Sequence, residues 1–235
     1  ISVTVTPDQR FKVLTKELGF AWKEAAKLGA EDYLVLRAEY PYIDTEFSLG
    51  YWNGKSVVLN ESIAYLVGLL LSDGWVEKGN KRGYPYRCGW GCTSISVISR
   101  IAQILEKEFN YQATIEERQQ ECETESGLVL LKRLYTVRIQ NSALNQFMVS
   151  SFSLHAAVAS TKEIPASLFL SPQNVVFSFL SGLIDGDGSI HTSRNIINYG
   201  SVSPKLISGL QLLLQQLGFL SQRYTYAPGS GHDIL

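Results

Sequence analysis

The sequence predicts an α+β fold of two αββαββα repeats, preceded by a small, mostly β segment. Three observations predict it. An apolar helical run ending in Asp-Gly occurs twice, in "AYLVGLLLSDGWVE" (Ala64–Glu77) and "FLSGLIDGDGSIH" (Phe179–His191). The equivalent acids of the two runs, Asp73 and Asp187, stand 114 residues apart. Each run also heads the same succession of strand-pair and helix patterns.

Residues 1–55 read as β structure. "ISVTVT", "FKVLT" and "DYLVLRAEY" are β-branched or aromatic runs broken by "TPDQ" and "LGAED", with one short helical turn in "AWKEAAKLGA". Residues 56–155 hold the first repeat. Ile63–Leu71 is almost wholly apolar and stops at Ser72-Asp73-Gly74, with glycine at a helix C-cap place. "WVEKGNKRGYPYRCGWGCTS" reads as two strands joined by a Gly/Asn/Lys turn. A helix follows, with Ile98, Ile101, Ile104, Leu105 and Phe109 at helical spacing. "YQATIEERQQE" and "LVLLKRLYTVRIQ" form a second strand pair, and "NSALNQFMVSSFSLH" a helix capped by Asn141. Residues 156–176, with two prolines, read as a connector. The second repeat occupies residues 177–235, and its apolar segment, Val175–Ile184, ends in Asp-Gly-Asp-Gly. Two strands lie in "SIHTSRNIINYGSVS" and a helix in "PKLISGLQLLLQQLGF", from Pro204 in its first turn to Gly218. "LSQRYTYAPG" begins a third strand, so the second repeat reads as incomplete.

Composition narrows the function classes. At 235 residues and 45% hydrophobic, the chain can bury one large core or two modest ones. A net charge of −1 gives no global nucleic-acid signal. Glu116, Glu117, Glu121, Glu123 and Glu125 crowd one region, however, which leaves room for a basic face elsewhere. No apolar run approaches the ~18–20 residues that span a bilayer, and nothing resembles a signal peptide, so a soluble chain without a membrane partner is expected. The chain begins at Ile1 and its only methionine is Met148, as in a processed product, an excised fragment or part of something longer. Cys88, Cys92 and Cys122 make no disulfide framework, which points to a reducing, cytoplasmic compartment. "CGWGC" invites a zinc reading, but structural zinc wants four ligands and no histidine lies near; buried or strand thiols are the preferred reading.

The paired runs carry the chemistry. Ala64 and Gly68, like Ser178 and Gly182, are small residues four apart, giving each helix a stripe for close approach. Side by side, the helices bring Asp73 and Asp187 together amid carbonyl dipoles of the same sign. That arrangement calls for cations, and hard divalent ions with oxygen ligands fit it. Two carboxylates sharing metal ions also suit in-line phosphodiester hydrolysis. An ordinary helix-stop turn explains one "DG" well, but two copies heading the same element order poorly.

Leu66–Gly74 and Leu180–Gly188 resemble the two signature helices of the LAGLIDADG homing endonucleases. The second copy matches closely; the first has Leu71 at the sixth place. The resemblance covers almost the whole chain. It implies a monomeric DNA-binding saddle of two pseudo-symmetric halves that cuts both strands of a long, specific double-stranded DNA site. It implies Mg²⁺ held by Asp73 and Asp187 with the carbonyls of Ser72 and Gly186. Asp185 aligns with Leu71, so it is expected to be dispensable for the chemistry. "STKEIP" resembles the lysine-plus-proline block of family members that reside in inteins, which makes Lys162 the candidate basic residue near the scissile phosphate. A solvated loop lysine is the alternative. In the family the strand pairs enter the major groove, and counting by twos gives Trp75, Glu77, Gly79 and Lys81, then Ser189, His191, Ser193 and Asn195. Arg82, Arg87, Arg138, Arg194 and Arg223 are candidates for phosphates or guanines. A solvated antiparallel sheet face predicts the same alternation.

"VTVTPDQRFKVL" and "AWKEAAKLGAEDYLVLR" resemble part of an intein splicing domain. Thr6 matches that domain's threonine, but Gln9 replaces its histidine and cannot act as a general acid or base. The N-terminal Cys or Ser and the C-terminal His-Asn pair are also missing from the chain, so no splicing is expected. The expected function is an intein-derived homing endonuclease. The alternatives are a non-catalytic LAGLIDADG maturase or regulator, and an intein acting mainly in protein splicing.

Overall fold

The computed structural model describes residues 4–15, 19–35, 46–78, 86–123, 129–154, 159–225 and 233–234. The chain forms two compact units, Ile1–Pro41 with Gln211–Ser221, and Tyr42–Leu210 with Gln222–Leu235. In the first, β1 (Arg10–Leu14), β2 (Phe20–Glu24) and β3 (Tyr33–Leu34) form an antiparallel sheet ordered β2-β1-β3. Lys23 Nζ holds Asp32 Oδ1 at 2.6 Å, and the Gly29 amide donates to Oδ2 at 2.8 Å. These bonds, Lys23 first, hold the Asp32 carboxyl below its ordinary range. Thr4–Thr6 form no strand, correcting the β reading for that half of "ISVTVT"; residues 1–3 lie outside the described residues. β-Branched residues favour extended backbone, but a strand also needs a partner's ladder. Here the Gln9 amide turns back to the Thr6 carbonyl at 3.1 Å.

The second unit opens with a hairpin, β4 (Ser48–Trp52) and β5 (Lys55–Val58), around Asn53 and Gly54. Their φ values of 49° and 76° suit the mirror-image turn that matches strand twist. Trp52 Nε1 donates to the Phe109 carbonyl at 2.9 Å, and Phe147 meets Trp52 at a tilt and Phe109 edge-to-face, at 5.9 and 6.0 Å between centroids. The hairpin, which spans the boundary expected at residue 55, thus packs with the first repeat. Ser151 Oγ also donates to the Leu49 carbonyl at 3.3 Å.

The first repeat comprises α1 (Glu61–Leu71), β6 (Gly74–Lys78), β7 (Tyr86–Cys92), α2 (Ile95–Phe109), β8 (Ile115–Glu123), β9 (Val129–Arg138) and α3 (Ser142–Ser151). Asn60 caps α1, its side chain accepting from the Ile63 amide at 2.9 Å. Ile63–Leu71 is buried all round, so α1 is a core helix. The second repeat comprises α4 (Gln173–Asp187), β10 (Gly188–His191), β11 (Ile196–Ser201), α5 (Pro204–Gln216), β12 (Tyr224–Thr225) and β13 (Asp233–Ile234). The sheets are ordered β6-β7-β9-β8 and β10-β11-β13-β12, the same topology in the same chain sequence.

In the first sheet, Cys88, Trp90 and Val137 share the buried pleat, with Trp90 Nε1 donating to the Leu66 carbonyl of α1 at 3.2 Å. Cys88 and Cys92 are free thiols, and burial pushes Cys88 up to about 12. Among the described residues no group of three or more His, Cys, Asp or Glu forms a metal cluster. No described helix is long and apolar enough to cross a membrane.

Candidate active site at the paired helix ends

α1 and α4 meet backbone to backbone at two glycines. A Cβ on Gly68 would collide with the Phe179 carbonyl and lie 3.0 Å from the Leu183 amide. A Cβ on Gly182 would collide with the Tyr65 carbonyl and lie 2.9 Å from the Leu69 amide. The two sets of contacts are related by the repeat spacing, so the helices cross about a local pseudo-dyad. At their N-terminal ends Asn174 Nδ2 donates to Glu61. At the C-terminal ends Gly186 lies against Ser72, whose Cβ is 2.6 Å from the place of a Gly186 Cβ. Ser72 Oγ lies 3.3 Å from the carbonyls of Gly68 and Leu69 and 3.4 Å from that of Gly182 across the interface. α4 continues through Gly186 to Asp187, beyond the end at Ile184 read from the sequence. The glycines that resemble a stop signal leave room for the partner helix.

This crossing brings Asp73 and Asp187 within hydrogen-bonding reach. Burial raises the Asp73 carboxyl above its ordinary value and the Asp187 charge adds to this, while Lys162 opposes both. Lys162 Nζ donates to the carbonyls of Leu71 at 2.8 Å, Ser72 at 3.0 Å and Gly74 at 3.4 Å. Burial lowers the Lys162 ammonium, and the two aspartates counter it. Three acceptors and two nearby carboxylates favour the charged form. Lys162 thus supplies positive charge at the negative end of α1, where an acidic side chain would otherwise be disfavoured. Its own carbonyl accepts from the buried Ser203 hydroxyl at 2.5 Å.

Strand register sorts the flanking side chains. Trp75 pairs with Gly89 and Glu77 with Arg87; Gly89 pairs with Arg138, and Gly91 with Thr136. Trp75, Glu77, Arg87 and Arg138 therefore share the face opposite buried Trp90, joined by Glu116, Arg118 and Lys132 from the outer strands. Glu116 is engaged by Arg118 at 3.3 Å. Glu117 and Glu121 fall on the other face, where Arg133 approaches Glu117 at 3.6 Å. Alternation leaves a basic excess on the Trp75 face despite the near-neutral chain. Trp75 lies across Gly89 and Gly91, where a Cβ on Gly89 would overlap its ring, and the Arg138 guanidinium sits 5.7 Å from the ring centroid. Trp75, Glu77, Arg87, Glu116 and Arg138 line a cavity of about 340 Å³.

In the second sheet Ser189 pairs with Asn198 and His191 with Ile196, which sets these four on the face opposite buried Tyr199. The strand ends at His191. Ser193, Arg194 and Asn195 lie in the turn, where the Arg194 amide bonds the His191 carbonyl at 3.1 Å and Asn195 has φ 51°. Counting by twos fails there, because a reversing chain has no pleat. Asn198, on the returning strand, is the polar residue that the count misses; the turn-forming "TSRN" is the signal that locates it. Arg223 Nη1 donates to Ser208 Oγ of α5 at 3.1 Å. Gly79, Lys81 and Arg82 lie outside the described residues.

Comparison with known proteins follows the same division of the chain. The profile of the LAGLIDADG-like domain matches residues 60–146 and 174–235, which contain both helices and both sheets. A DNA polymerase of Thermococcus sp. (strain GE8) is 25% identical over 190 residues, 78% of this chain and 10% of that protein. One component of the A-type ATP synthase of Methanopyrus kandleri is 25% identical over 158 residues, 67% of this chain and 13% of that protein. The chain thus spans only about a tenth of the length of these relatives. A solved structure of I-DmoI in complex with DNA and Mn shares the fold, with a TM-score of 0.52 at 18% identity over 75% of this chain and 88% of that one. With the family profile matching well over half its residues, the chain belongs to the LAGLIDADG-like domain family.

Proposed function

We propose that the chain is a site-specific double-strand DNA endonuclease. The observation that carries this reading is the meeting of Asp73 and Asp187 at the crossed helix ends, beside a sheet face with a basic excess. Pure binding needs no pair of carboxylates at the helix ends, whereas metal-assisted phosphodiester hydrolysis has a use for one. The donors are carboxylate and carbonyl oxygens, which suit Mg²⁺ or a similar hard cation. No third acid joins them among the described residues, which matches an ion completing its shell with phosphate oxygens and water. Asp73, Asp187 and the carbonyls of Ser72 and Gly186 would hold it. When bound, such an ion supplies an activated water and neutralises developing phosphate charge. Lys162 fixes the α1 end and leaves the Ser72 carbonyl its second lone pair. Trp75, Arg87, Arg138, Ser189, His191 and Asn198 would face the duplex as two ribbons in adjacent major-groove segments.

An intein origin fits the relatives. A DNA polymerase and an ATP synthase component are different proteins, yet both match this chain over a small fraction of their length. That pattern supports the reading of an inserted module. The test is a supercoiled plasmid carrying the uninterrupted coding sequence of the host gene. The wild-type protein should linearise it with Mg²⁺ and leave it intact with a chelator. Tight binding without cleavage would instead make the chain a non-catalytic regulator or maturase. In a binding assay, Arg87→Ala and Arg138→Ala should each lower the salt slope of DNA binding by about 1 where they meet phosphate. Fluorescence anisotropy across a salt series measures it, and an unchanged slope with unchanged discrimination would remove that arginine from the interface.

A further inference from the structure

A polar clasp breaks the pseudo-dyad. Tyr65 of α1 is fully buried, and its hydroxyl donates to Asp185 Oδ2 of α4 at 2.7 Å. The Arg100 guanidinium of α2 covers the same ring at 3.7 Å from its centroid. The repeat spacing sets Tyr65 equivalent to Phe179 and Asp185 equivalent to Leu71, both buried and apolar. One side of the helix pair therefore carries a hydrogen-bonded pair, whereas the equivalent positions on the other side are apolar. The clasp is reachable because Gly182 lets α4 touch the Tyr65 carbonyl, which brings the next turn, with Asp185, within reach of the phenol. Burial, first, and Asp185 push the Tyr65 phenol far above its ordinary range, so it stays protonated and donates.

We propose that Tyr65 and Asp185 are positioning residues that hold the last turn of α4, and so set the approach of Asp187 toward Asp73. The bond lies two residues before Asp187, at the open end of the helix where nothing but neighbouring contacts fixes the backbone. Arg100 adds a third element, so the α4 end is tied to α1 and α2 together. The inference rests on the nuclease reading of the site. Because the clasp acts on the α4 side alone, its loss should unbalance the two strand cuts instead of slowing both.

The test uses a target duplex labelled on each strand, with Tyr65→Phe, Asp185→Leu, the double variant and Asp185→Asn. Tyr65→Phe and Asp185→Leu each recreate the side chain found across the dyad, so the fold should tolerate them. Each should slow one strand, the same strand in both, by about tenfold and accumulate nicked product. The double variant should be no slower than either single one, and the loss in melting temperature should likewise not add. Asp185→Asn keeps an acceptor oxygen and should retain the native strand balance. Equal slowing of both strands, additive losses, or an Asp185→Asn as unbalanced as Asp185→Leu would overturn the proposal. Failure of the wild-type protein to cut would count against the nuclease reading, while a non-additive melting cycle would still support the clasp.

Discussion

Gly182→Ala is expected to destabilise the larger unit by about 3 kcal/mol, at the upper end of what overpacking a core usually costs. Helix propensity argues the other way, since alanine is favoured over glycine inside a helix by about 1 kcal/mol. Packing wins because the new methyl group would meet the Tyr65 carbonyl and the Leu69 amide, backbone atoms of a fully buried helix that cannot swing aside. Relief requires α1 and α4 to separate, which loses dispersion contacts along the whole crossing. Gly68→Ala should behave alike against Phe179 and Leu183. Gly209→Ala in α5 is the control: its new Cβ would lie 3.4 Å from side-chain atoms of Ile164, an ordinary contact, so propensity should stabilise it by about 0.5–1 kcal/mol. Urea unfolding measures all three. A Gly182→Ala midpoint at or above the wild-type value would show that the helices do not meet through their glycines.

The fold is legible because its signals are local and repeated. The two apolar runs, the Asn60 and Asn141 caps and the helical spacing from Ile98 to Phe109 each lie within one element. What escapes sequence reasoning depends on partners far along the chain. The end of α4 reads as a stop at Ile184 because Gly186 resembles a turn residue, and only Ser72 of α1 explains a helical glycine there. Asp185 reads as dispensable because it aligns with Leu71, and nothing near it in sequence announces Tyr65, 120 residues earlier. The bond from Arg223 to Ser208 of α5 likewise joins residues that sequence pattern does not connect. Alternation places Ser189 and His191 on one pleat but loses its meaning in the turn at Ser193–Asn195, where the chain reverses. Local pattern fixes elements and faces; tertiary contact decides where each one ends.

The largest effect on activity should come from the acids. Asp73→Asn and Asp187→Asn preserve shape and remove charge, and each should lower cleavage by at least about 10³-fold, because the two carboxylates act as one ligand set. Folding should not suffer. A carboxyl raised by burial and by a neighbouring charge destabilises the ionised protein, so a neutral amide at Asp73 relieves that penalty. The double variant should then be hardly slower than either single one. Single-turnover cleavage of the target duplex by the wild type, Asp73→Asn, Asp187→Asn and the double variant tests this most directly. The account predicts two large losses that do not add. Single variants within about tenfold of the wild type, or losses that multiply in the double variant, would contradict a shared site at the paired helix ends.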